Sequence, residues 1–275
     1  MKRLLILIVV LLAGCGESED LIEFGLTDDE VLPESINEPI VKQPSIDEII
    51  KEVNASGAIT DDQAESLSKV EYLYLNGLTS ITDQQAEILS NRDSLELNGL
   101  RLITDQQAEI LSKVGYLELN GLTSITDQLA ESLGKTESLE LEGLTSITDQ
   151  QAESLSKVED LYLNGLTSIT DQQAEILSNR DFLELNGLTS VSNQQAENLS
   201  KVGYLELNGL TSITDQQAES LGKTESLELE GLTSITDEQA KSLGKIPLRL
   251  VISDACYDLV SKYKTFATKA SERKY

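Results

Sequence analysis

The chain has 275 residues, a formal net charge of −27 and no histidine. Nucleic acids select basic surfaces, so a chain this acidic is not expected to bind DNA or RNA. The lack of histidine excludes His-based catalytic triads, His proton shuttles and His-ligated metals.

The N-terminus has the features of an export signal. Lys2 and Arg3 precede an apolar run from Leu4 to Ala13. Ten residues of apolar helix span roughly 15 Å, about half of a bilayer core, so this run is too short for a transmembrane helix. We therefore interpret residues 1–14 as a signal peptide.

The segment Leu12-Ala13-Gly14-Cys15 resembles the lipobox of bacterial lipoproteins. The resemblance implies cleavage before Cys15 and acylation of its thiol, for example by palmitate, so that the chain contacts a membrane through a lipid anchor only. In enterobacterial lipoproteins, Asp after the acylated cysteine retains the protein at the inner membrane. Gly16 stands there instead, which implies the cell outer membrane in an organism that has one. The alternative is an ordinary signal peptide that contains a cysteine.

Residues 15–44 carry the lipidated cysteine and then an acidic tether. This stretch is rich in carboxylates and contains Pro33, Pro39 and Pro44. Such a composition cannot bury enough apolar surface to fold alone, and its charges extend it. We expect the tether to be disordered.

Residues 45–58 are predicted to form an N-terminal helical cap. Ser45 and Glu48 have the spacing of a capping box, and an apolar face follows at Ile46, Ile49, Ile50 and Val53. The end of a solenoid core must be covered, so we expect this helix to pack on the first repeat.

A strict 22-residue repeat fills residues 59–245 in nine units. The tripeptide Ile-Thr-Asp, or a close variant, starts at Ile59, Ile81, Ile103, Ile125, Ile147, Ile169, Val191, Ile213 and Ile235. A fixed period of this size predicts a stacked solenoid, in which no unit buries its apolar face alone. A longer period is superimposed, because residues 59–146 and 147–234 differ at only ten of 88 positions.

Each unit contains the signals for one strand and one short helix. Leu73 and Leu75 alternate with Tyr74, which predicts a strand that buries the two leucines. A glycine follows in all eight strands, at Gly77, Gly99, Gly121, Gly143, Gly165, Gly187, Gly209 and Gly231. Positive φ or a close backbone approach would explain that glycine. Thr82 is predicted to cap a helix, with Gln85 reaching back to it.

The pattern Leu73-x-Leu75-x-x-Leu78-x-x-Ile81-Thr82-Asp83-x-x-Ala86-x-x-Leu89 resembles a leucine-rich repeat, most closely the cysteine-containing subtype. The resemblance implies an α/β solenoid with parallel strands on the concave face, short helices on the convex face and helical caps. Leu78 and its equivalents replace the Cys or Asn of the usual internal hydrogen-bond ladder, so we expect that ladder to be absent. The unit is also about four residues shorter than in that subtype.

Parallel strands place equivalent residues about 4.8 Å apart, so exposed strand positions form columns. The central column is predicted to be Tyr74, Glu96, Glu118, Glu140, Tyr162, Glu184, Glu206 and Glu228. The preceding column is Tyr72, Ser94, Tyr116, Ser138, Asp160, Phe182, Tyr204 and Ser226. The following column is Asn76, Asn98, Asn120, Glu142, Asn164, Asn186, Asn208 and Glu230.

Two features of these columns suggest a binding surface for a protein with basic residues. Exposed aromatic residues with polar neighbours are typical interface anchors. Adjacent Glu side chains repel by up to ~1 kcal/mol per pair, which a cationic partner would relieve. The candidate partner-binding residues are Tyr72, Tyr74, Glu96, Tyr116, Glu118, Glu140, Tyr162, Phe182, Glu184, Tyr204, Glu206 and Glu228. The alternative is that Glu extends into water and Tyr merely suits a strand.

The repeat pattern breaks near the C-terminus, and residues 246–275 are interpreted as a C-terminal cap with a basic tail. The next strand is predicted at Leu248-Arg249-Leu250, one residue early. Ser253 is expected to cap a last helix over residues 254–269, with an apolar side formed by Leu259, Val260, Tyr263 and Phe266.

No cofactor, metal or catalytic centre is expected. Asp83 and its equivalents are explained as residues at helix N-termini, and calcium needs six to eight converging oxygens. Cys256 has no obvious base beside it and is expected to be a buried thiol. With Cys15 lipidated it has no intramolecular partner, so no disulfide framework is expected.

The sequence therefore favours a non-enzymatic envelope lipoprotein that binds another protein through the acidic, aromatic-rich concave face. Two alternatives remain: a structural spacer or coat lipoprotein without a specific ligand, and a carbohydrate-binding adhesin that uses the aromatic, Glu and Asn columns.

Overall fold

The computed structural model describes residues 43–264 and 267–272. The predicted signal peptide, Cys15, nearly all of the tether and Phe266 lie outside the described residues. From Thr60 to Ile252, short strands alternate with short helices, one of each in every repeat unit.

Ten parallel strands of the described chain form one sheet, in which neighbours in sequence are also neighbours in space. They are β1 (Tyr72–Tyr74), β2 (Ser94–Glu96), β3 (Tyr116–Glu118), β4 (Ser138–Glu140), β5 (Asp160–Tyr162), β6 (Phe182–Glu184), β7 (Tyr204–Glu206), β8 (Ser226–Leu229), β9 (Arg249–Ile252) and β10 (Ala267–Lys269). Leu73 pairs with Leu95, and Leu95 with Leu117, so equivalent repeat positions lie side by side as predicted.

Helices pack on the opposite side of the leucine layer. They are α1 (Ile46–Ser56), α2 (Asp61–Leu67), α3 (Asp83–Leu89), α4 (Asp105–Leu111), α5 (Asp127–Leu133), α6 (Asp149–Leu155), α7 (Asp171–Leu177), α8 (Asn193–Leu199), α9 (Asp215–Leu221), α10 (Asp237–Leu243) and α11 (Asp254–Val260), followed by a 3-10 turn at Ala270–Glu272. The predicted capping box is confirmed, because Thr82 Oγ1 accepts from the Gln85 N–H at 3.1 Å and Gln85 Oε1 accepts from the Thr82 N–H at 3.0 Å.

Gln85 and the equivalent glutamines of the other repeats make a second hydrogen bond, which the sequence analysis did not predict. Gln151 Nε2 donates to the carbonyl oxygen of Ile125, in the preceding unit, at 2.8 Å. Equivalent bonds to the preceding unit are made by Gln85, Gln107, Gln173, Gln195, Gln217 and Gln239. Leu129 replaces this glutamine in α5. A hydrogen-bond ladder therefore joins the repeats, at a position different from that of the cysteine-containing subtype.

The core is a set of apolar columns between the sheet and the helices. Leu73, Leu75, Leu78, Ala86 and Leu89 are fully buried, and so are their equivalents along most of the solenoid. Burial of one leucine side chain stabilises the fold by about 2 kcal/mol. The predicted core assignment is confirmed for these positions.

The glycine after each strand is required by a close backbone approach. A β-carbon on Gly165 would lie 1.9 Å from the carbonyl oxygen of Glu142 and 2.6 Å from that of Leu144. The described glycine with positive φ is Gly57, at 73°, which ends α1. Of the two explanations predicted for the repeated glycine, the close approach is therefore the correct one.

The N-terminal helix begins as predicted. Ser45 Oγ accepts from the Glu48 N–H at 3.3 Å, and Glu48 Oε2 accepts from the Ser45 N–H at 2.8 Å. Ile49 and Val53 are buried, whereas Ile46 is 39% exposed. Asn54 covers part of the free edge of β1, since its Nδ2 donates to the Tyr74 carbonyl oxygen at 3.0 Å.

The C-terminal prediction is partly wrong. β9 starts at Arg249, and α11 ends at Val260 instead of continuing to Lys269. Residues Ala267–Lys269 form β10, which pairs in parallel with β9. The physical reason is that the edge of β9 exposes unpaired backbone groups, which a further strand satisfies and a helix does not. Cys256 is a buried free thiol, as predicted.

Two arginines to which the sequence analysis gave no function lie in the body of the solenoid. Arg92 Nη1 donates to the Val70 carbonyl oxygen at 2.9 Å, and Arg180 Nε donates to that of Leu177 at 3.0 Å. Burial lowers the pKa of each guanidinium to about 10, so both remain charged at neutral pH. They stabilise carbonyl groups at or just beyond the C-terminal ends of helices, where positive charge is favourable.

Candidate functional site on the strand face

The face of the sheet opposite the helices, the concave face of the prediction, is called the strand face below. Its residues alternate with the buried leucines of the strands. The observed register places equivalent residues of the preceding and central columns side by side, with Tyr116 next to Ser138 and Glu118 next to Glu140. The predicted alignment of equivalent repeat positions across the strands is thus confirmed for these two columns.

Four aromatic side chains form a continuous line, the aromatic row, consisting of Tyr116, Tyr162, Phe182 and Tyr204. The ring centroids of Tyr116 and Tyr162 are 6.3 Å apart in an edge-to-face arrangement. Those of Tyr162 and Phe182 are 5.0 Å apart at 49°, and those of Phe182 and Tyr204 are 5.2 Å apart and stacked at 8°. Such pairs stabilise each other by about 1 kcal/mol beyond their buried area, so the row is held in place before any partner arrives.

The other two predicted aromatic residues lie apart from this row. Tyr72 and Tyr74 are on β1, at the N-terminal end of the sheet, and are 59% and 50% exposed. The strand face therefore presents an exposed tyrosine pair at one end and the half-buried aromatic row further along.

Carboxylates of the central column are bound by tyrosine hydroxyls at two equivalent places. In the first cluster, the Tyr116 hydroxyl donates to Glu118 Oε1 at 2.9 Å or to Glu140 Oε2 at 2.6 Å. In the second cluster, the Tyr204 hydroxyl contacts Glu206 and Glu228 in the same way. Burial, together with the hydrogen bonds to Glu, raises the pKa of both tyrosine hydroxyls, which therefore stay protonated donors.

The prediction of exposure is wrong for two carboxylates. Glu206 is 3% exposed and Glu228 is fully buried. Glu228 is covered by Arg249, from the C-terminal cap, whose Nη2 lies 3.0 Å from Glu228 Oε1 and whose guanidinium carbon lies 5.6 Å from the Tyr204 ring centre. Glu206 instead accepts hydrogen bonds from the Tyr204 hydroxyl and from the Nδ2 groups of Asn186 and Asn208, at 3.1 Å each. Both carboxylates therefore position Tyr204, and Glu228 also positions Arg249.

The asparagine column forms a second ladder that the sequence analysis missed. Asn120 Oδ1 accepts from the Glu142 N–H at 2.8 Å, while its Nδ2 donates to Glu140 Oε1 at 2.6 Å. Equivalent pairs of bonds are made by Asn76, Asn98, Asn164 and Asn186. The asparagines thus link neighbouring strands and supply the donors that partly offset repulsion between glutamates.

An additional acidic column borders the aromatic row. It consists of the exposed residues that immediately precede six of the strands: Glu71, Asp93, Glu137, Glu159, Asp181 and Glu225. Glycine precedes β3 and β7 instead. The acidic residues are visible in the sequence, but their place in a column could be assigned only once the start of each strand was known. Asp93 and Glu137 of this column line one hollow together with Tyr116 and Tyr162 of the row.

Glu184, at the centre of the strand face, has an altered proton affinity. Burial, with smaller contributions from the nearby carboxylates of Glu206 and Glu140, raises the pKa of its carboxyl to about 7. The hydrogen bond from Asn164 Nδ2, at 2.9 Å, acts in the opposite direction. The strand face gains negative charge at this position as the pH rises through neutrality.

We expect Glu184→Gln to raise the free energy of unfolding by about 1 kcal/mol at pH 8, after allowance for solvent screening, and to change it little at pH 4.5. The folded-state pKa lies above the unfolded value, so the folded state binds the proton more tightly. Its stability falls as pH rises from about 4.3 to about 7. Urea unfolding at several pH values checks this.

The matched control is Glu153→Gln, because Glu153 is an exposed helix residue. That variant should follow the pH dependence of the wild type. Parallel stability curves for Glu184→Gln and the wild type from pH 5 to pH 8 would contradict the expected effect.

In the part of the chain that the structure describes, no three His, Cys, Asp or Glu side chains are arranged to hold a metal ion. Within residues 43–264 and 267–272, no helix has the length and apolar character needed to cross a membrane.

Parallel three-residue strands, buried leucine columns and one short helix per 22-residue unit together define the architecture. The fold is a leucine-rich-repeat solenoid. No family model matches the chain, and no curated protein matches it in sequence.

Similar solved structures include three Listeria monocytogenes proteins. An internalin (inlF) is 16% identical over 78% of this chain and 65% of its own, with a TM-score of 0.49. Internalin C2 is 18% identical over 81% of this chain and 92% of its own, with a TM-score of 0.41. The functional domain of InlJ, which includes a cysteine ladder, is 13% identical over 72% of this chain and 46% of its own, with a TM-score of 0.43. The solenoid chain thus spans less than two thirds of the first and third of these proteins.

Proposed function

We propose that this leucine-rich-repeat protein is a non-enzymatic lipoprotein of the bacterial envelope that binds another protein through its strand face. The observation that carries the proposal is the aromatic row, which is bordered by carboxylates and held in place by neighbouring rings. Aromatic anchors surrounded by polar groups are the usual centre of a protein interface.

The aromatic row is suited to binding because its side chains are already ordered and lose little conformational freedom when a partner binds. Phe182 has Tyr162 and Tyr204 on either side, with ring centroids 5.0 and 5.2 Å away. A side chain that is already ordered costs less entropy when a partner covers it. The rings therefore contribute apolar contact area without the usual ordering cost.

The charge of the face selects the partner. The carboxylates beside the row belong to a chain with a net charge of −27. A protein with a basic surface would be attracted and correctly oriented, whereas acidic proteins and nucleic acids would be repelled.

Ring geometry favours a protein partner over a carbohydrate. Sugars stack on the flat faces of aromatic rings, but the face of Phe182 is stacked on Tyr204. The guanidinium of Arg249 lies over the Tyr204 ring. The row therefore presents mainly ring edges at this end, which fit side chains of a protein better than a flat sugar.

The double variant Tyr162→Ala/Phe182→Ala is expected to weaken partner binding by about tenfold or more, because each anchor residue contributes at least ~1 kcal/mol. The purified full-length protein is immobilised and exposed to envelope extract under crosslinking conditions. Captured proteins are identified by mass spectrometry, and affinity is then measured with the purified candidate.

The control is Gln150→Ala/Gln172→Ala, which changes two exposed residues on helices α6 and α7. It should bind like the wild type. A second variant, Tyr72→Ala/Tyr74→Ala, shows whether the N-terminal tyrosine pair also takes part. Equal binding by wild type and the Tyr162/Phe182 variant, both correctly folded by circular dichroism, would refute the strand face as the interface.

The membrane anchor is a separate part of the proposal and rests on the lipobox-like sequence that ends at Cys15. Cys15→Ser is expected to abolish incorporation of radiolabelled palmitate and to move the protein from the membrane fraction to the soluble fraction. Gly16→Asp serves as the control for destination, since it should keep the label and shift the protein to the inner membrane. Labelling that persists in Cys15→Ser would exclude the anchor.

A further inference from the structure

The two tyrosine–glutamate clusters are copies of one arrangement, 88 residues apart. Tyr116, Glu118 and Glu140 of the first cluster correspond to Tyr204, Glu206 and Glu228 of the second. Strand register is the same in both, because Tyr116 pairs with Ser138 and Tyr204 pairs with Ser226. Comparing the two copies therefore shows which neighbouring residues differ between them.

The second cluster already binds a cation. Ser226 pairs with Arg249 on the next strand, and the guanidinium of Arg249 contacts Glu228 and the Tyr204 ring. An ion pair at 3.0 Å combined with a cation–π contact is a strong way to hold a guanidinium group. The exposed fraction of Glu228 is zero as a result.

The first cluster lacks this cation. Ser138 pairs with Asp160, which occupies the position of Arg249. A hollow of about 400 Å³ opens here, lined by Asp93, Gly115, Tyr116, Glu137, Ser138, Asp160 and Tyr162. Glu118 and Glu140, two residues after Tyr116 and Ser138 on the same strands, remain partly exposed. Burial raises the pKa of Glu140, an effect that a bound cation would oppose.

We infer that the first cluster is a binding site for an arginine side chain of the partner protein, and that Arg249 shows how that side chain is held. The inference rests on the proposed function, since it names the group with which a basic partner contacts the strand face. The Tyr116 ring and the Glu140 carboxylate take the roles of Tyr204 and Glu228. Asp160, where Arg249 stands in the second copy, adds a further acceptor.

Arginine fits this hollow better than lysine does. Its planar guanidinium donates to two carboxylate oxygens at once and stacks on an aromatic ring, whereas an ammonium group does neither as well. Citrulline has nearly the same shape as arginine but no charge, so it separates the contribution of charge from that of shape.

The test uses the full-length protein with labelled tyrosine rings and the tripeptide acetyl-Gly-Arg-Gly-amide as the probe. We expect saturable shifts of the Tyr116 ring signals in NMR spectra, with a dissociation constant on the order of millimolar. The lysine tripeptide should bind more weakly, and the citrulline tripeptide should cause no saturable shift. Equal shifts with the arginine and lysine tripeptides would indicate unspecific attraction to an acidic chain and would overturn the inference.

Two variants locate the site. Asp160→Arg places an arginine where Arg249 stands in the second copy, so it should fill the hollow and weaken tripeptide binding by about tenfold. Arg249→Ala should open the second cluster and add saturable shifts at Tyr204. If Arg249→Ala does not fold, Asp160→Arg alone decides, because unchanged tripeptide binding by that variant overturns the assignment.

Partner binding by the variants shows whether this inference or the proposed function has failed. If Asp160→Arg binds the partner as the wild type does while Tyr162→Ala/Phe182→Ala does not, the arginine site is refuted and the strand-face interface stands. If the tripeptide binds at Tyr116 but both variants bind the partner normally, the proposed interface falls and the guanidinium site remains only as a local property.

Discussion

Replacing Gly165 by alanine is expected to lower the free energy of unfolding by about 3 kcal/mol, the upper range for overpacking. The added methyl group would lie 1.9 Å from the carbonyl oxygen of Glu142 and 2.6 Å from that of Leu144. Both are backbone atoms of the preceding repeat, so no side-chain rotation relieves the clash and the two units must move apart. Urea unfolding followed by circular dichroism measures the loss.

The matched control is Gly115→Ala. Its β-carbon would lie 2.9 Å from the Asp93 carbonyl oxygen, with the next nearest atom 3.7 Å away. A small shift relieves that contact, so we expect a loss of at most about 1 kcal/mol. Equal stabilities of the two variants would show that the repeats are not in close backbone contact at the glycine column.

Asn164→Ala is expected to lower the free energy of unfolding by about 2 kcal/mol, because it leaves partly buried polar groups without their partner. Asn164 Nδ2 donates to Glu142 Oε1 at 2.8 Å and to Glu184 Oε2 at 2.9 Å. Its Oδ1 accepts from the Asn186 N–H at 3.0 Å. The change therefore removes a bond between strands and two donors to carboxylates.

The control for this prediction is Asn179→Ala, since Asn179 is exposed. Its stability should stay within about 0.5 kcal/mol of the wild type. Asn164→Asp adds a useful comparison: it keeps an acceptor but places another negative charge beside Glu142 and Glu184. It should be less stable at pH 8 than at pH 5. No loss of stability in Asn164→Ala would mean that the asparagine ladder is dispensable.

Most of the fold was predictable because the repeat converts sequence position directly into spatial position. Leu73 in the core and Thr82 at the helix start each have one local role, and that role recurs unchanged in the structure, as does the capping role of Gln85. The C-terminal end lies outside the repeat. There the helical spacing of apolar residues suggested one long helix, but pairing of Ala267–Lys269 with the open edge of β9 prevailed.

The site was predictable as a set of columns but not as a set of contacts. Which rings meet depends on side-chain directions, and Tyr162 reaches both Tyr116 and Phe182 although it belongs to a different column. The burial of Glu228 depends on Arg249, which belongs to the cap and appears in no repeat. The repeat pattern predicts contacts that recur in every unit. It does not predict a contact made by a residue outside the repeat, such as that of Arg249 with Glu228.

The glutamine ladder has a consequence for how the solenoid opens. One side chain, such as Gln151, both starts its own helix and holds the preceding unit, so local helix formation and docking between units are coupled. Leu129 interrupts this coupling in α5. Nearest-neighbour coupling in a linear array fails first where the contact between two units is weakest. We therefore expect the units up to α4 and those from α5 onward to open as two cooperative blocks with different amide-exchange rates.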